Sequence, residues 1–304
     1  MNFYYYLKNA FLILIFLQFA PYLINGIRKQ YAHYLTPKTP VGVLSIHGLL
    51  YDSSYYNEYL HKYFENPEVK AILLKIECAG GASGTSQALF NEIVALKKEH
   101  PKPVIVLIEN ICTSGAYYIA CAADHIVAPG TSVIGSIGAS MPYFFQLHDF
   151  IEQFKVHYIP MKTGTYKAIG DPFVDLTTQD KELLQGVLDD SYQQFIADVA
   201  RMRKLALTNS AVWADGKVFS GNQAKQVGLI DEVGSAYTAI RAIKDKGLIE
   251  GEIEWIKPPQ QTSMLNLFTG HSGSDDEQSM FASMATKVAS ALTTKLQSAP
   301  SVSL

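Results

Sequence analysis

Hydrophobic and polar positions along this chain fall into short blocks whose period changes repeatedly. Val41–Ile46, Ala71–Ile76 (the run continuing to Cys78) and Val104–Ile108 are mainly apolar, rich in β-branched residues and of strand length. Between them, Thr85–Lys98 repeats its apolar positions at helical spacing, and Ala116–Ala123 reads as a second helical stretch. His125–Ala128 and Val156–Met161 read as further short strands. From Leu176 to Leu205 a long amphipathic helix is predicted: Thr177 and Asp180 have capping-box spacing, and Leu183, Leu184, Val187, Leu188, Phe195 and Val199 form one stripe. Such a stripe ordinarily faces a core, with subunit packing as the secondary reading. Lys217–Lys246 reads as two short helices split at Gly228, and Glu252–Ile256 as a last strand. Strands alternating with helices predict an α/β layered fold, helices packed on sheet.

The two ends depart from this pattern. Nineteen uncharged residues separate Lys8 from Arg28 and include the run Phe11–Leu17. As a helix this stretch is about 28 Å long, close to the hydrocarbon thickness of a bilayer. Tyr4, Tyr5, Tyr6 and Tyr22 sit where interfacial aromatic residues belong. No small-residue cleavage site follows, so residues 1–27 are predicted to be a single membrane anchor and residues 28–40 a linker. Lys8 opposes Arg28 and Lys29, and the positive-inside rule gives no orientation. Residues 41–257 form the predicted main domain. Beyond Pro258, Ser, Thr, Gln, Met and Ala dominate, with acidic Asp275, Asp276 and Glu277; residues 258–304 read as a flexible tail with a weak amphipathic helix at Ser279–Leu296.

Composition narrows the function classes. The 304 residues are 48% hydrophobic, ample for a large core. Twenty-five basic residues against 28 acidic ones give a net charge of −3, with no basic field for nucleic acid. The eight histidines show no metal-ligand spacing, and Cys78, Cys112 and Cys121 form no C-x-x-C pair. Neither a metal nor a cofactor is expected.

Candidate chemistry centres on Thr113-Ser114-Gly115, where a strand run meets a helical run. A serine there is either a helix cap or a nucleophile at the positive end of a helix, and the turn alone leaves both readings open. Gly80-Gly81, at the end of the preceding strand, reads as a tight turn or as backbone N–H groups open to a ligand. One amide from each turn would suit the oxyanion of a tetrahedral intermediate. His125 and His148 each adjoin an aspartate, and adjacent residues point apart, so both read as surface or packing residues. A lysine is the remaining base. Its ordinary pKa, about 10.4, must fall through desolvation before the neutral amine can take a serine proton. Lys167 lies in the apolar context Tyr166, Ala168 and Ile169.

Four motifs in order give these residues a family. The run from Thr113 to Asp124, then Gly135-Ser136-Ile137-Gly138, then Gly164 to Phe173 around Lys167, and finally Ala214–Gly221 with Gly228–Gly234, resemble the signal peptide peptidase A family (protease IV). The resemblance covers about residues 41–257. It implies a Clp-protease-like (crotonase-like) layered fold, Ser114 as nucleophile, Lys167 as general base, and Gly81 and Gly115 as oxyanion donors. It further implies hydrophobic peptide substrates such as released signal peptides, and a membrane-bound enzyme whose catalytic domain lies outside the cytoplasm. Short members with one copy of the domain form rings, so a homo-oligomer is expected. Two positions depart from the pattern: Cys78-Ala79 replaces the usual Ser-Pro, leaving open whether Gly80 or Gly81 presents its amide, and Ala116 replaces a second glycine. An acyl-CoA enzyme on the crotonase fold and a catalytically silent peptide- or membrane-partner-binding scaffold are the alternatives.

Overall fold

The computed structural model describes residues 8, 11, 13–26, 38–141 and 144–259. Residues 11 and 13–26 are helical. Among the described residues no helix is long and apolar enough to cross a membrane; the rest of the predicted anchor lies outside them. The chain divides into two units, Met1–Pro258 and Pro259–Leu304. Residues 260–304 of the predicted tail, with the helix at Ser279–Leu296, lie outside the described residues.

The first unit is a mixed α/β structure built on one sheet. Its strands are β1 (Lys38–Leu50), β2 (Ala71–Gly81), β3 (Val104–Thr113), β4 (His125–Ala128), β5 (Val133–Gly135), β6 (Val218–Ser220), β7 (Glu232–Val233) and β8 (Glu252–Ile256). The order β6-β5-β3-β2-β1-β8 carries β4 and β7 off its path through β3. Every pairing is parallel except β5 with β6. The helices are α1 (Ser54–Glu65), α2 (Ser83–Glu99), α3 (Gly115–Ala120), α4 (His148–Gln153), α5 (Thr178–Arg203), α6 (Ser210–Trp213), α7 (Gly221–Gln226) and α8 (Ala236–Gly247).

The continuous apolar runs are explained by burial on both sheet faces. Leu44, Leu74 and Val106 are in register and point into the larger core beside Leu60, Phe90 and Ile119. Their neighbours Val43, Leu73 and Ile105 point the other way, against Ala239, Ala242 and Ile243 of α8. Each fully buried leucine or isoleucine removes enough apolar surface to contribute about 2 kcal/mol.

Three expectations change. Residues 156–161 form no strand: Pro160 removes a ladder donor, and Val156, Ile159 and Met161 are exposed. The stripe of the long helix divides, because Phe195, Ile196 and Val199 enter the core whereas Leu183 and Val187 stay exposed. Lys217–Lys246 is two helices, as expected, but Val218–Ser220 and Glu232–Val233 are short strands. The predicted capping box holds: Thr177 accepts from the Asp180 N–H, and Asp180 accepts from the Thr177 N–H.

One ion pair ties distant segments together. Arg203, at the end of α5, grips Asp231 with two nitrogens at 3.0 and 2.9 Å and donates to the Gly228 carbonyl. Asp231 also accepts the Ile126 N–H of β4 at 2.8 Å. Burial works against the Asp231 charge, but the Arg203 bonds outweigh it and hold the carboxyl below its ordinary range. A depressed folded pKa gives stability that is present above the unfolded value and lost as pH falls through the folded one. Asp231→Asn should therefore cost about 1–3 kcal/mol at pH 7, since it leaves Arg203 half-paired in a mostly buried place. In urea titrations the difference from wild type should close below about pH 4; a difference unchanged at pH 3 would contradict the pairing.

Candidate active site

β3 ends and α3 begins at Ser114, whose backbone has φ 52° and ψ −127°. Left-handed φ is costly for a residue with a Cβ, and such strain collects at functional turns. The turn is held from outside, because the Ser114 N–H donates to the Gly135 carbonyl at 2.7 Å and the Ser114 carbonyl accepts from Tyr118 N–H. Ser114 makes no side-chain cap bond to its helix. The capping reading therefore loses its main support. Gly115 occupies the first helical position, where an N–H has no partner within its own helix.

The neighbouring turn comes close enough that side chains would not fit. A Cβ on Gly81 would lie 2.1 Å from the Leu50 carbonyl oxygen of β1. A Cβ on Gly115 would lie 2.1 Å from Ser86 Oγ, and the Gly81 nitrogen is 3.5 Å from that same point. Gly81, Ser114 and Gly115 line one cavity of about 30 Å³, room for one or two water-sized groups. Gly138 and Ala139, after the Gly135-Ser136-Ile137-Gly138 run, line another side. Tyr118 and Phe195, their rings stacked at 4.3 Å, line it too, with Ser83, Ser86 and Ser191. Burial, with the Tyr118–Asp198 hydrogen bond of 2.6 Å, raises the Tyr118 pKa. Between the two candidate glycines the geometry favours Gly81: the Gly80 N–H is spent on Cys78 Sγ at 3.3 Å.

Lys167 is not brought to this cavity. It lies exposed in the segment between α4 and α5 and is not among the cavity's lining residues. Its motif is locally ordered. Asp171 accepts from the Tyr158 hydroxyl at 2.6 Å and from the Phe173 N–H, which together hold its carboxyl below the ordinary value. His125 faces Glu232 at 3.5 Å, and His148 lies 3.5–3.6 Å from Asp149, Glu152 and Asp175. Neither histidine lines the cavity, as expected of them. Ligand-type atoms also converge at His47, Glu77 and Glu109 on the sheet. There Lys75 already pairs with Glu109 at 2.8 Å and Asn110 donates to Glu77.

Sequence reading missed Ser86 and Phe195 as parts of this site, and gave Thr113 no role beyond its place in the serine's motif. Ser86 is fully buried on α2 and bonds back to the Ala82 carbonyl. Thr113 is buried, and its hydroxyl donates to Ala79 at 3.0 Å. Only Thr113 carried a signal, its place beside the serine.

Backbone strain at Ser114 has a measurable consequence. Ser114→Gly should be more stable than Ser114→Ala by about 1 kcal/mol or more, because glycine alone releases the left-handed φ. Thermal unfolding of the two variants checks this, and equal midpoints would place Ser114 in a relaxed conformation.

Comparison with known proteins assigns the chain a family. It is 36% identical over 193 residues to a putative protease of Methanocaldococcus jannaschii, covering 64% of this chain and 61% of that one. A putative signal peptide peptidase SppA of Enterococcus faecium is 27% identical over 214 residues, covering 66% and 62%. A chloroplastic serine protease SPPA of Arabidopsis thaliana is 31% identical over 186 residues, covering 61% and 27%. The chain thus spans less than two thirds of the length of each of these relatives. The model for Peptidase family S49 matches residues 96–249, a segment that holds Ser114, Gly115, Lys167 and half of the chain. The chain belongs to Peptidase family S49.

Proposed function

We propose that this chain is a membrane-anchored serine endopeptidase of Clp-protease-like fold that hydrolyses hydrophobic peptides, released signal peptides among them. The observation that carries the reading is the convergence of a strained Ser114 with Gly81 and Gly115 on one small cavity. Ser114 Oγ attacks the scissile carbonyl carbon while its proton passes to the Lys167 amine. The Gly81 and Gly115 N–H groups hold the oxyanion of the tetrahedral intermediate. The intermediate collapses, the C–N bond breaks, and Lys167 returns the proton to the leaving amine. Water then attacks the acyl-enzyme by the same route. Substrate preference follows from the aromatic wall of Tyr118 and Phe195. The exposed apolar helical residues Phe16, Leu17 and Phe19 support the anchor, and the family resemblance supports a catalytic domain outside the cytoplasm.

The separation of Lys167 from the cavity supports a dyad completed between copies of the chain. Lys167 sits in a segment with large exposed apolar side chains: Phe145, Phe150, Phe154, Ile159 and Met161. Such a surface, together with exposed Leu183 and Val187, fits burial against another copy of the chain. In the homo-oligomer so formed, the lysine of one copy meets the serine of the next, and packing strips the water that a lysine base must lose.

Ser114→Ala and Lys167→Ala should each abolish cleavage of a fluorogenic hydrophobic peptide by a folded, assembled protein. Co-expressing the two variants should restore about a quarter of the wild-type rate, the random-mixing value when each site draws on two copies. Activity surviving in Ser114→Ala would defeat the assignment of Ser114 as nucleophile. Inactive mixed assemblies would defeat the shared dyad and return both residues to one chain.

A further inference from the structure

The turn before Gly81 is controlled by side chains from two strands. At its bend β2 slips register against both neighbours, between Ile76 and Cys78 toward β3 and opposite Gly48–Leu49 toward β1. Gly80 follows with φ +108°, and a Cβ there would meet the Gly115 nitrogen at 2.9 Å and the Thr113 carbonyl at 3.0 Å. Glycine is required at this point, but it is also the residue least able to fix its own dihedrals. Two consecutive peptide planes on either side of it are held instead. The Ala79–Gly80 plane is gripped at both ends: its N–H donates to Cys78 Sγ at 3.3 Å, and its carbonyl accepts from Thr113 Oγ1 at 3.0 Å. The Gly80–Gly81 plane accepts the Cys78 thiol proton on its carbonyl at 3.5 Å. In a trans peptide the N–H points opposite to the carbonyl, so a donor on the Gly80 carbonyl turns the Gly81 N–H away from the thiol. Cys78 is 1% exposed and Thr113 6%, so both donor side chains are shielded from water.

We propose that Cys78 and Thr113 are positioning residues of the oxyanion site, aiming the Gly81 N–H at the cavity that holds Ser114. This rests on the peptidase reading above. The chain carries Cys78-Ala79 where a proline would stiffen the turn, and a thiol and a hydroxyl supply that rigidity through hydrogen bonds. Thr113 immediately precedes Ser114, so the same clamp keeps the oxyanion site in register with the nucleophile. The thiol acts here as paired donor and acceptor, a role that serine can fill and alanine cannot. Burial raises its pKa despite the Gly80 bond, which keeps it in the protonated, donating form.

The test compares Cys78→Ala with Cys78→Ser, and Thr113→Val with Thr113→Ser, in the full chain. The alanine and valine variants should lose about tenfold in kcat with KM little changed, the worth of one hydrogen bond expressed in the transition state. The serine variants should keep most of the wild-type kcat. Affinity for a peptide aldehyde, whose adduct with serine carries the oxyanion, should fall in parallel with kcat. Binding of an uncleaved peptide to the same variants in the Ser114→Ala background should not move. Wild-type kcat and aldehyde affinity in Cys78→Ala would overturn the proposal, as would a loss shared equally by Cys78→Ser. Should Cys78→Ala fail to fold, the Thr113 pair reads the other end of the clamp. Failure of the peptidase reading has a different signature: wild type would then cleave no peptide, or Ser114→Ala would cleave as fast as wild type.

Discussion

Three stretches of backbone approach one another here more closely than any side chain would allow. β1 lies against Gly81, and the β2 bend lies against the turn that starts α3. The side chain of α2 closest to Gly115 is that of Ser86, whose hydroxyl fills the space a Cβ on Gly115 would need. Much of the architecture follows from this crowding. The parallel ladder must run on past its apolar segment so that β1 reaches Leu50, and β3 must end in a residue that accepts a left-handed φ. Packing of the apolar rows upstream supplies the stability against which that strain is held. Because β1 meets Gly81, and the β2 bend meets the α3 turn, mainly through backbone atoms, the positions of Gly81 and Gly115 are set by the fold itself.

The upstream apolar rows were legible because burial on both faces leaves a continuous run that no helix shares at that length. Val41–Ile46, Ala71–Ile76 and Val104–Ile108 were found in this way, but each strand continues beyond its run. His47 to Leu50 pairs through its backbone with Glu77 to Gly81, and backbone pairing leaves no trace in side-chain hydrophobicity. Helix α1 escaped for a related reason. Its buried positions Leu60, Tyr63 and Phe64 lie among tyrosines and charges, with no side-chain cap bond to mark the start. Residues 156–161 read as a short strand, yet a strand needs a neighbouring edge, and Pro160 withholds one donor. Periodicity reports burial, and in that segment the apolar side chains are not buried within the chain.

The candidate site was legible one turn at a time. Ser114 and the paired glycines announce themselves by position, between a strand-type and a helix-type pattern. Their proximity depends on the β2–β3 pairing, which brings Cys78 beside Cys112 across the ladder. Cys78 illustrates the limit well. As a residue type it suggests only a buried thiol, and its bond to Gly80 emerges once the chain has bent. Lys167 shows the opposite case. Its motif stands out in sequence, yet folding of one chain leaves it exposed, so distance along the chain said nothing of where its partner lies.

That division has a physical logic within the proposed reading. The half of the site built on strand ends brings Ser114, Gly81 and Gly115 together within one copy. The half that carries the base lies on an exposed apolar segment ordered by local bonds such as Tyr158–Asp171. A serine hydroxyl without a base is a poor nucleophile, and a lysine in water keeps its proton. Each half alone is therefore chemically quiet. Burying Phe150, Ile159 and Met161 against a second copy favours association, and the same burial desolvates the lysine beside them. Assembly and activation then draw on one source of free energy, the removal of a single apolar surface from water.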